Sequence, residues 1–538
     1  KMNLGGINVK KGLFIFLMVL FSVALLAVGC SQADVSDEGD AESTEEDAAS
    51  ADTGSSGEKV LSIGQDNDIA NIDPALVSQV SEQQVSNNIF DALMFRDIET
   101  NELVEGLAES YEVSEDGLTY TFKLREGVQF HKDYGEMTSE DVKFSFERIL
   151  DPETKAPKRS FLDSVEEINA PDDYTVEFKL KHIDAMFLDN LSQEWAGIVS
   201  KKAVEEKGDD FNFDPIGTGP FMFESWEPQT ATTLVKNDNW YRGEVKLDKV
   251  RFVPIPEKST MYLSFESEDL DIVSVNDPER LEQYENDDRF RLEKEPGYIV
   301  RHIGLNMEME PFDDIRVRHA VMHGFNREAL LNEVFTGLSV PAKGPIPPNV
   351  EGYEPDVTEY PYDPEKAKEL LAEAGYEDGL SFTFHVPNMD RFMTPASVFQ
   401  ADMEKIGVDV EIEVVESTAY LEEARAGKYP IYVLSNSQTA IPDFILNRIY
   451  HSKNADGGDN YSNYKNEDVD AWLDELGSTL DEEKRTELLS KIQKQIVDDL
   501  PNLFIDHEEH IYAVNNRVVD YHVTPRRLQQ VYSVDIQE

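Results

Sequence analysis

Apolar and polar positions along this chain form short alternating runs and longer helical stripes, separated by well-marked turns. The clearest alternation sets Leu118, Tyr120, Phe122 and Leu124 against Thr119, Thr121, Lys123 and Arg125, which predicts a half-buried strand. Asp116-Gly117 just before it marks a hairpin turn. A similar unit recurs, with Asp172-Asp173-Tyr174 leading into Thr175-Val176-Glu177-Phe178-Lys179-Leu180, so the two hairpins suggest a small antiparallel sheet. Between them, Thr138-Ser139-Glu140-Asp141 reads as a capping box that opens a helix, with Val142, Phe146 and Ile149 on its buried face. Upstream, residues 60–63 read as a strand, Asn71-Ile72-Asp73-Pro74 as a turn, and residues 81–93 as a helix.

Downstream, Pro215-Ile216-Gly217-Thr218-Gly219-Pro220-Phe221 is a tight glycine-rich turn. It is not a dinucleotide loop, because Met222 stands where the third glycine would be. Strand-like segments follow to about Asp271, then a strand at residues 300–305 and a helix over 313–334. A second helix is fully punctuated: Asp363 as N-cap, Pro364 as its first residue and Gly375 as its stop. Residues 380–386, 395–406 and 408–415 then read as strand, helix and strand, a β-α-β unit that favours an α/β fold. Two helices are expected within 468–499 and a returning strand over 502–514.

One stretch has neither period. Lys10-Lys11-Gly12 precedes sixteen residues, 13–28, in which Ser22 is the only polar side chain. Positive charges, an apolar run shorter than the ~20 residues of a spanning helix, and small residues after it make a secretory leader. Cys30, the only cysteine of the chain, sits where the leader would be cut. Residues 31–58 hold ten acids, no base and no aromatic, and read as a disordered tether with a reach of about 30 Å. The chain has 538 residues and a net charge of −59, from 108 acids against 49 bases. That excess argues against nucleic acid as a partner, since phosphate binding needs a basic patch. A lone cysteine excludes an intrachain disulfide, and the length calls for two or three subdomains.

Several stretches, taken in order, resemble one family. They include Leu107-Ala108-Glu109-Ser110, then Asp116 through Val128, Phe130-His131, Glu140-Asp141-Val142 and Gly217-Thr218-Gly219-Pro220-Phe221. Further on stand Asn306, Pro311-Phe312-Asp313-Asp314, Arg316-Val317-Arg318, Asp363-Pro364-Glu365-Lys366-Ala367, and Asn460-Tyr461-Ser462-Asn463-Tyr464. The set is similar to the solute-binding proteins of peptide and nickel ABC importers, the oligopeptide- and dipeptide-binding group known as family 5. Ala27-Val28-Gly29-Cys30 likewise resembles a bacterial lipobox, which implies lipidation at Cys30 and a chain anchored to the outer face of the cytoplasmic membrane.

The resemblance implies an α/β, periplasmic-binding-protein-like two-lobed clamp with an extra third subdomain and mixed sheets flanked by helices. Residues 59–92, 215–300 and 510–538 would form domain I, 93–214 an inserted domain II, and 301–509 domain III, with 1–29 the signal and 30–58 the lipidated linker. The function implied is capture of a small solute between the lobes, first a short peptide, then a nickel chelate or oligosaccharide, for delivery to an ABC permease and ATPase. A monomer with no cofactor, metal or catalytic group is expected. In peptide-binding members a Trp-x-x-Asp pattern holds the peptide, its Asp pairing with the α-amino group. Here Ser435 stands at the tryptophan position and Gln438 at the aspartate position, with Asn436 and Ser437 between them. Glutamine brings no charge, so a free peptide N-terminus requires another acid in the site. The family's backbone-contacting loop corresponds to Ser78-Gln79-Val80. The expected ligand-binding residues are these three together with Ser435–Gln438.

Two other classes compete with this reading. One is a sensor of the same fold that signals without transport. The other is a secreted hydrolase working with carboxylates across a cleft. Two histidine patterns suggest metal chemistry, and neither completes a motif. His507-Glu508-Glu509-His510 is one residue short of a zincin motif and lies in a predicted strand. His319 and His323 have helical i,i+4 spacing, but Ala320 stands where the motif needs its glutamate, so packing or surface roles are expected.

Overall fold

The structure, a computed structural model, describes residues 57–98, 100–437 and 440–537. The leader, Cys30 and nearly all of the acidic tether lie outside the described residues, and so does Gln438.

Both predicted hairpins form and join into one antiparallel sheet of four strands. Ala108–Val113 pairs with Thr119–Leu124, which pairs with Thr175–Leu180, which pairs with Val165–Asp172. Tyr120, Phe122 and Leu124 point into the core, as the period of two requires. The helix Ser139–Leu150 packs on this sheet, and its N-cap is the expected one: the Asp141 carboxylate accepts the Thr138 amide at 3.0 Å. Val142, Phe146 and Ile149 are its buried face.

The larger sheet has 11 strands and two halves. The first half orders Phe221–Glu227, Ala231–Lys236, Lys249–Pro254, Val60–Gln65 and Ile272–Ser274 side by side. The second half orders Ile431–Ser437, Leu380–Pro387 and Val408–Val415, the last two parallel, as a β-α-β crossover demands. Two long antiparallel strands, Phe290–Leu305 and Asn502–Asn515, belong to both halves and are the sheet's only bridge among the described residues. Their ladder is regular up to Pro296 opposite Glu509 and resumes at Val300 opposite His507, so residues 297–299 bulge out of register. Gly297 is needed there, because a Cβ at that position would lie 2.4 Å from the His510 ring.

The apolar cores follow this division. One cluster is shared by the first half and the four-stranded sheet, and another fills the second half from Tyr298 to Ile505. A smaller cluster around Met261, Phe265 and Tyr284 covers the first half near the hinge strands. Gly217 and Gly219 let the turn press on the end of the helix Val80–Ile89, since a Cβ on Gly217 would come within 2.1 Å of the Ile89 carbonyl.

Three boundaries differ from the sequence reading. Lys258–Glu266 is a helix rather than a strand-like segment, capped by the Glu257 carboxylate and burying Met261, Tyr262 and Phe265 at helical spacing. The helix expected over 313–334 is two, Ile315–Gly324 and Arg327–Glu333, because the Asn326 side chain caps the second. The helix expected from Pro395 begins at Asp390, with Pro395 inside its second turn.

Candidate functional site

Three cavities of about 210, 390 and 590 Å³ share Arg527 in their walls and lie along the hinge strands. The middle one is lined from both halves: Val80, Trp195 and Pro525 on one side, Ser437, Phe444 and Ile445 on the other, with Tyr298 and Ile299 of the hinge bulge between. Phe161 crosses to the second half here, its ring 5.1 Å from Phe444 and 5.9 Å from Trp195. Val80 and Phe444 are 42% and 39% exposed, so the crevice presents open apolar surface. Such a crevice at the junction of two halves is where a small solute can gain contacts from both at once.

The charge of the crevice departs from that of the chain. Around the 390 Å³ cavity stand Lys158, Arg448, Arg526 and Arg527 against one carboxylate, Glu194, which is already paired with Arg526. Acids gather in the 590 Å³ cavity, where Asp66, Asp390, Glu508 and Glu509 face Lys258, Arg301, Arg391 and Arg527. Burial pushes the Glu509 carboxyl above its usual range. The crevice is therefore a strip with a cationic end and a mixed end, suited to a solute carrying charge of both signs.

The hinge is pinned from within. Arg301 and Asp506 face each other in the ladder and form a two-pronged buried pair, Nε to Oδ1 at 2.8 Å and Nη2 to Oδ2 at 2.7 Å. The third Arg301 nitrogen, Nη1, donates to the Arg391 carbonyl at 2.9 Å, so the crevice wall is tied to the same pair. Arg485 holds Asp443 in the same way, at 2.7 and 3.0 Å, and so fixes the start of the helix Asp443–Tyr450 that carries Phe444, Ile445 and Arg448.

Comparison with known proteins places this geometry. Residues 102–457 match the family described as "Bacterial extracellular solute-binding proteins, family 5 Middle". The dipeptide-binding protein of Escherichia coli (strain K12) is 31% identical over 476 residues, covering 84% of this chain and 89% of that protein. This chain belongs to family 5 of the bacterial extracellular solute-binding proteins. Heme-binding protein A of Haemophilus influenzae is 30% identical and covers 86% of this chain and 90% of its own length. Among solved structures, HbpA2 from Haemophilus parasuis superposes with a TM-score of 0.84 at 26% identity, covering 89% of this chain and all of that one. DppA from Helicobacter pylori in complex with the peptide STSA gives 0.73 at 30% identity, covering 89% and 98%. The fold is therefore the periplasmic-binding-protein-like α/β clamp of family 5, as the resemblance implied.

Within this family 5 protein the expected ligand residues divide. Gln79 and Val80 line the 210 Å³ cavity, Val80 also reaches the 390 Å³ cavity, and Ser437 lines the latter opposite Ile299. Ser78 is exposed and lines neither cavity: its amide and hydroxyl both donate to the Glu82 carboxylate. Asn436, one residue from Ser437 on an alternating strand, faces a separate small space beside Val300 and Ile449, and Ser435 lies deeper along the same strand opposite Arg301. Gln438 lies outside the described residues. Sequence reading missed Arg527, Tyr512, Phe161 and Phe444. The one signal available was Arg526-Arg527, a basic pair in an acidic chain.

The histidine patterns resolve into packing. His507 and His510 both lie in the strand Asn502–Asn515 and are buried, and His510 Nε2 meets the Pro525 carbonyl at 3.0 Å. His319 and His323 flank the Tyr360 ring, each with one nitrogen on a backbone carbonyl. Among the described residues no group of three or more His, Cys, Asp or Glu is arranged to hold a metal ion. No helix among them is long and apolar enough to cross a membrane.

Proposed function

We propose that this chain captures a short peptide in the crevice between its two halves and passes it unaltered to the permease and ATPase of an ABC importer. The observation that carries this reading is a crevice walled by both halves beside the bulge at residues 297–299 of the connecting ladder. A solute bridging the walls favours the closed arrangement by its extra affinity for it, which is what a capture-and-deliver protein requires. The relatives support a peptide: proteins named for dipeptides, di- and tripeptides and glutathione match along most of the chain.

Contacts to the solute would come from the loop Ser78-Gln79-Val80 and from residues 435–438, with Gln438 as a neutral hydrogen-bonding partner. Glu508 and Glu509 would supply the countercharge to a peptide ammonium that Gln438 lacks. We assign residues 59–92, 215–300 and 510–538 to one domain, 93–214 to an insertion and 301–509 to the closing domain. The lipidated Cys30 and the acidic tether would hold this monomeric body outside the cytoplasmic membrane.

The test is a melting curve of the mature protein, prepared from membranes, against a panel of di- and tripeptides, with the solutes recovered and weighed afterwards. A peptide at one hundred times its Kd should stabilise the fold by about 2.7 kcal/mol and be recovered intact. Cleaved peptide would support the hydrolase instead, and a Cys30 without acyl mass would remove the anchor from this reading.

A further inference from the structure

The first turn of the helix Val80–Ile89 is open toward the crevice. The Glu82 carboxylate caps the turn by accepting amides that precede the helix, those of Ala70, Asn71, Ser78 and Gln79. The Gln79 side chain takes the Glu82 amide in return. The Val80 and Ser81 amides stand at the first two helical positions, where no intrahelical acceptor exists, and no other described residue accepts from them. Ser81 is 6% exposed, its hydroxyl has no hydrogen-bond partner among the described residues, and it lines the 210 Å³ cavity. An orphaned buried hydroxyl beside free amides calls for an acceptor from outside the chain.

Arg527 faces the same cavity. Among the described residues no carboxylate comes within 4 Å of its guanidinium, and the one carboxylate in that cavity wall, Asp66, is paired with Lys258. The backbone holds Arg527 at φ +62°, a conformation that costs a non-glycine residue and persists only where its surroundings impose it. Here they do. The Arg527 carbonyl accepts from Gln84 Nε2 at 2.8 Å, Gln84 Oε1 accepts from Gln65 Nε2 at 2.9 Å, and Gln65 Nε2 also donates to the Ser81 carbonyl at 3.1 Å. One chain of bonds thus fixes the arginine against the open helix end.

We infer that Arg527, the Ser81 hydroxyl and the Val80 and Ser81 amides form a subsite for a carboxylate of the captured solute. A planar guanidinium and a helix N-terminus both present donors in the geometry a carboxylate accepts. This rests on the peptide reading, and it makes the solute's acid group a determinant of affinity.

Calorimetry on the whole mature protein tests it, using tripeptides as free acids, as C-terminal amides, and as amides with a central Glu or Gln. Wild type should bind free acids at least ten times more tightly than amides. A Glu side chain restoring affinity to the amide would identify a side-chain carboxylate as the occupant, and no restoration the C-terminus. Arg527→Gln should bring the acid-to-amide ratio near one, and Ser81→Ala should lower it two- to fivefold. A purely structural Arg527 would lower stability and leave the ratio unchanged. Should Arg527→Gln not fold, the wild-type ratio and Ser81→Ala decide. Equal binding of acids and amides by wild type overturns the subsite and leaves the peptide reading standing, whereas no binding by any series overturns both.

Discussion

Asp506→Ala should lower the stability of the mature protein by about 3–5 kcal/mol, because it leaves the Arg301 guanidinium buried without its partner. The effect is large for a structural reason. Arg301 lies in one hinge strand and Asp506 in the other, directly opposed in the ladder and just beyond the bulge. The guanidinium also stacks 4.2 Å from the Phe335 ring and holds the Arg391 carbonyl, so it cannot swing out to water without undoing that packing. Replacing both members together, as Arg301→Met with Asp506→Leu, should recover most of the loss, since well-packed apolar pairs often match buried ion pairs. Urea unfolding of the two singles and the double measures the coupling. A single-mutant loss below about 1 kcal/mol would mean that the pair does not hold the hinge.

The second large effect is with pH. His131, His302, His507 and His510 are buried, and burial pulls their pKa values down, to about 4 for the first three and about 3 for His510. In the unfolded chain each titrates near 6.5. Between those values the unfolded state binds more protons, so stability is complete above about pH 6.5 and is lost as pH falls toward 4. Each imidazole should remove on the order of 1–2 kcal/mol by pH 5. Asp91 acts the other way. Burial, partly offset by its Thr218 hydrogen bond, pushes it up to about 6, which favours the folded state by about 1 kcal/mol as it protonates. Four imidazoles outweigh one carboxyl, so the melting temperature should drop on the order of 5 °C or more from pH 7 to pH 5. A flat profile across that range would contradict the burial of these rings.

How much of this was legible in the sequence depends on where each contact comes from. Elements with local punctuation were read closely: the Asp363 carboxylate accepts the Lys366 amide at 2.9 Å, and Gly375 takes φ +96°, as its place after the helix requires. The helix Lys258–Glu266 was missed because its cap is a glutamate and its short apolar stripe also fits a strand. The long hinge strand was seen only from residue 300, since Lys294, Glu295, Pro296 and Gly297 break the strand pattern where the ladder itself breaks. The fold class came through the ordered resemblance, which rests on many turns and caps spread along the chain. Arg527 came through nothing of the kind. Its segment has little regular structure, and its partner Gln84 is 443 residues away in sequence, so only the folded chain brings them together.

The claim beneath all of this is that the crevice retains a peptide and does no chemistry on it. The direct measurement is retention. The mature protein is incubated with a mixed pool of di-, tri- and tetrapeptides, separated from free solute by rapid filtration and denatured, and whatever it held is identified by mass spectrometry. The account predicts intact short peptides at close to one per chain, enriched in free carboxylates relative to the pool. A protein that holds no peptide, or that yields fragments of the pool's members, would contradict it.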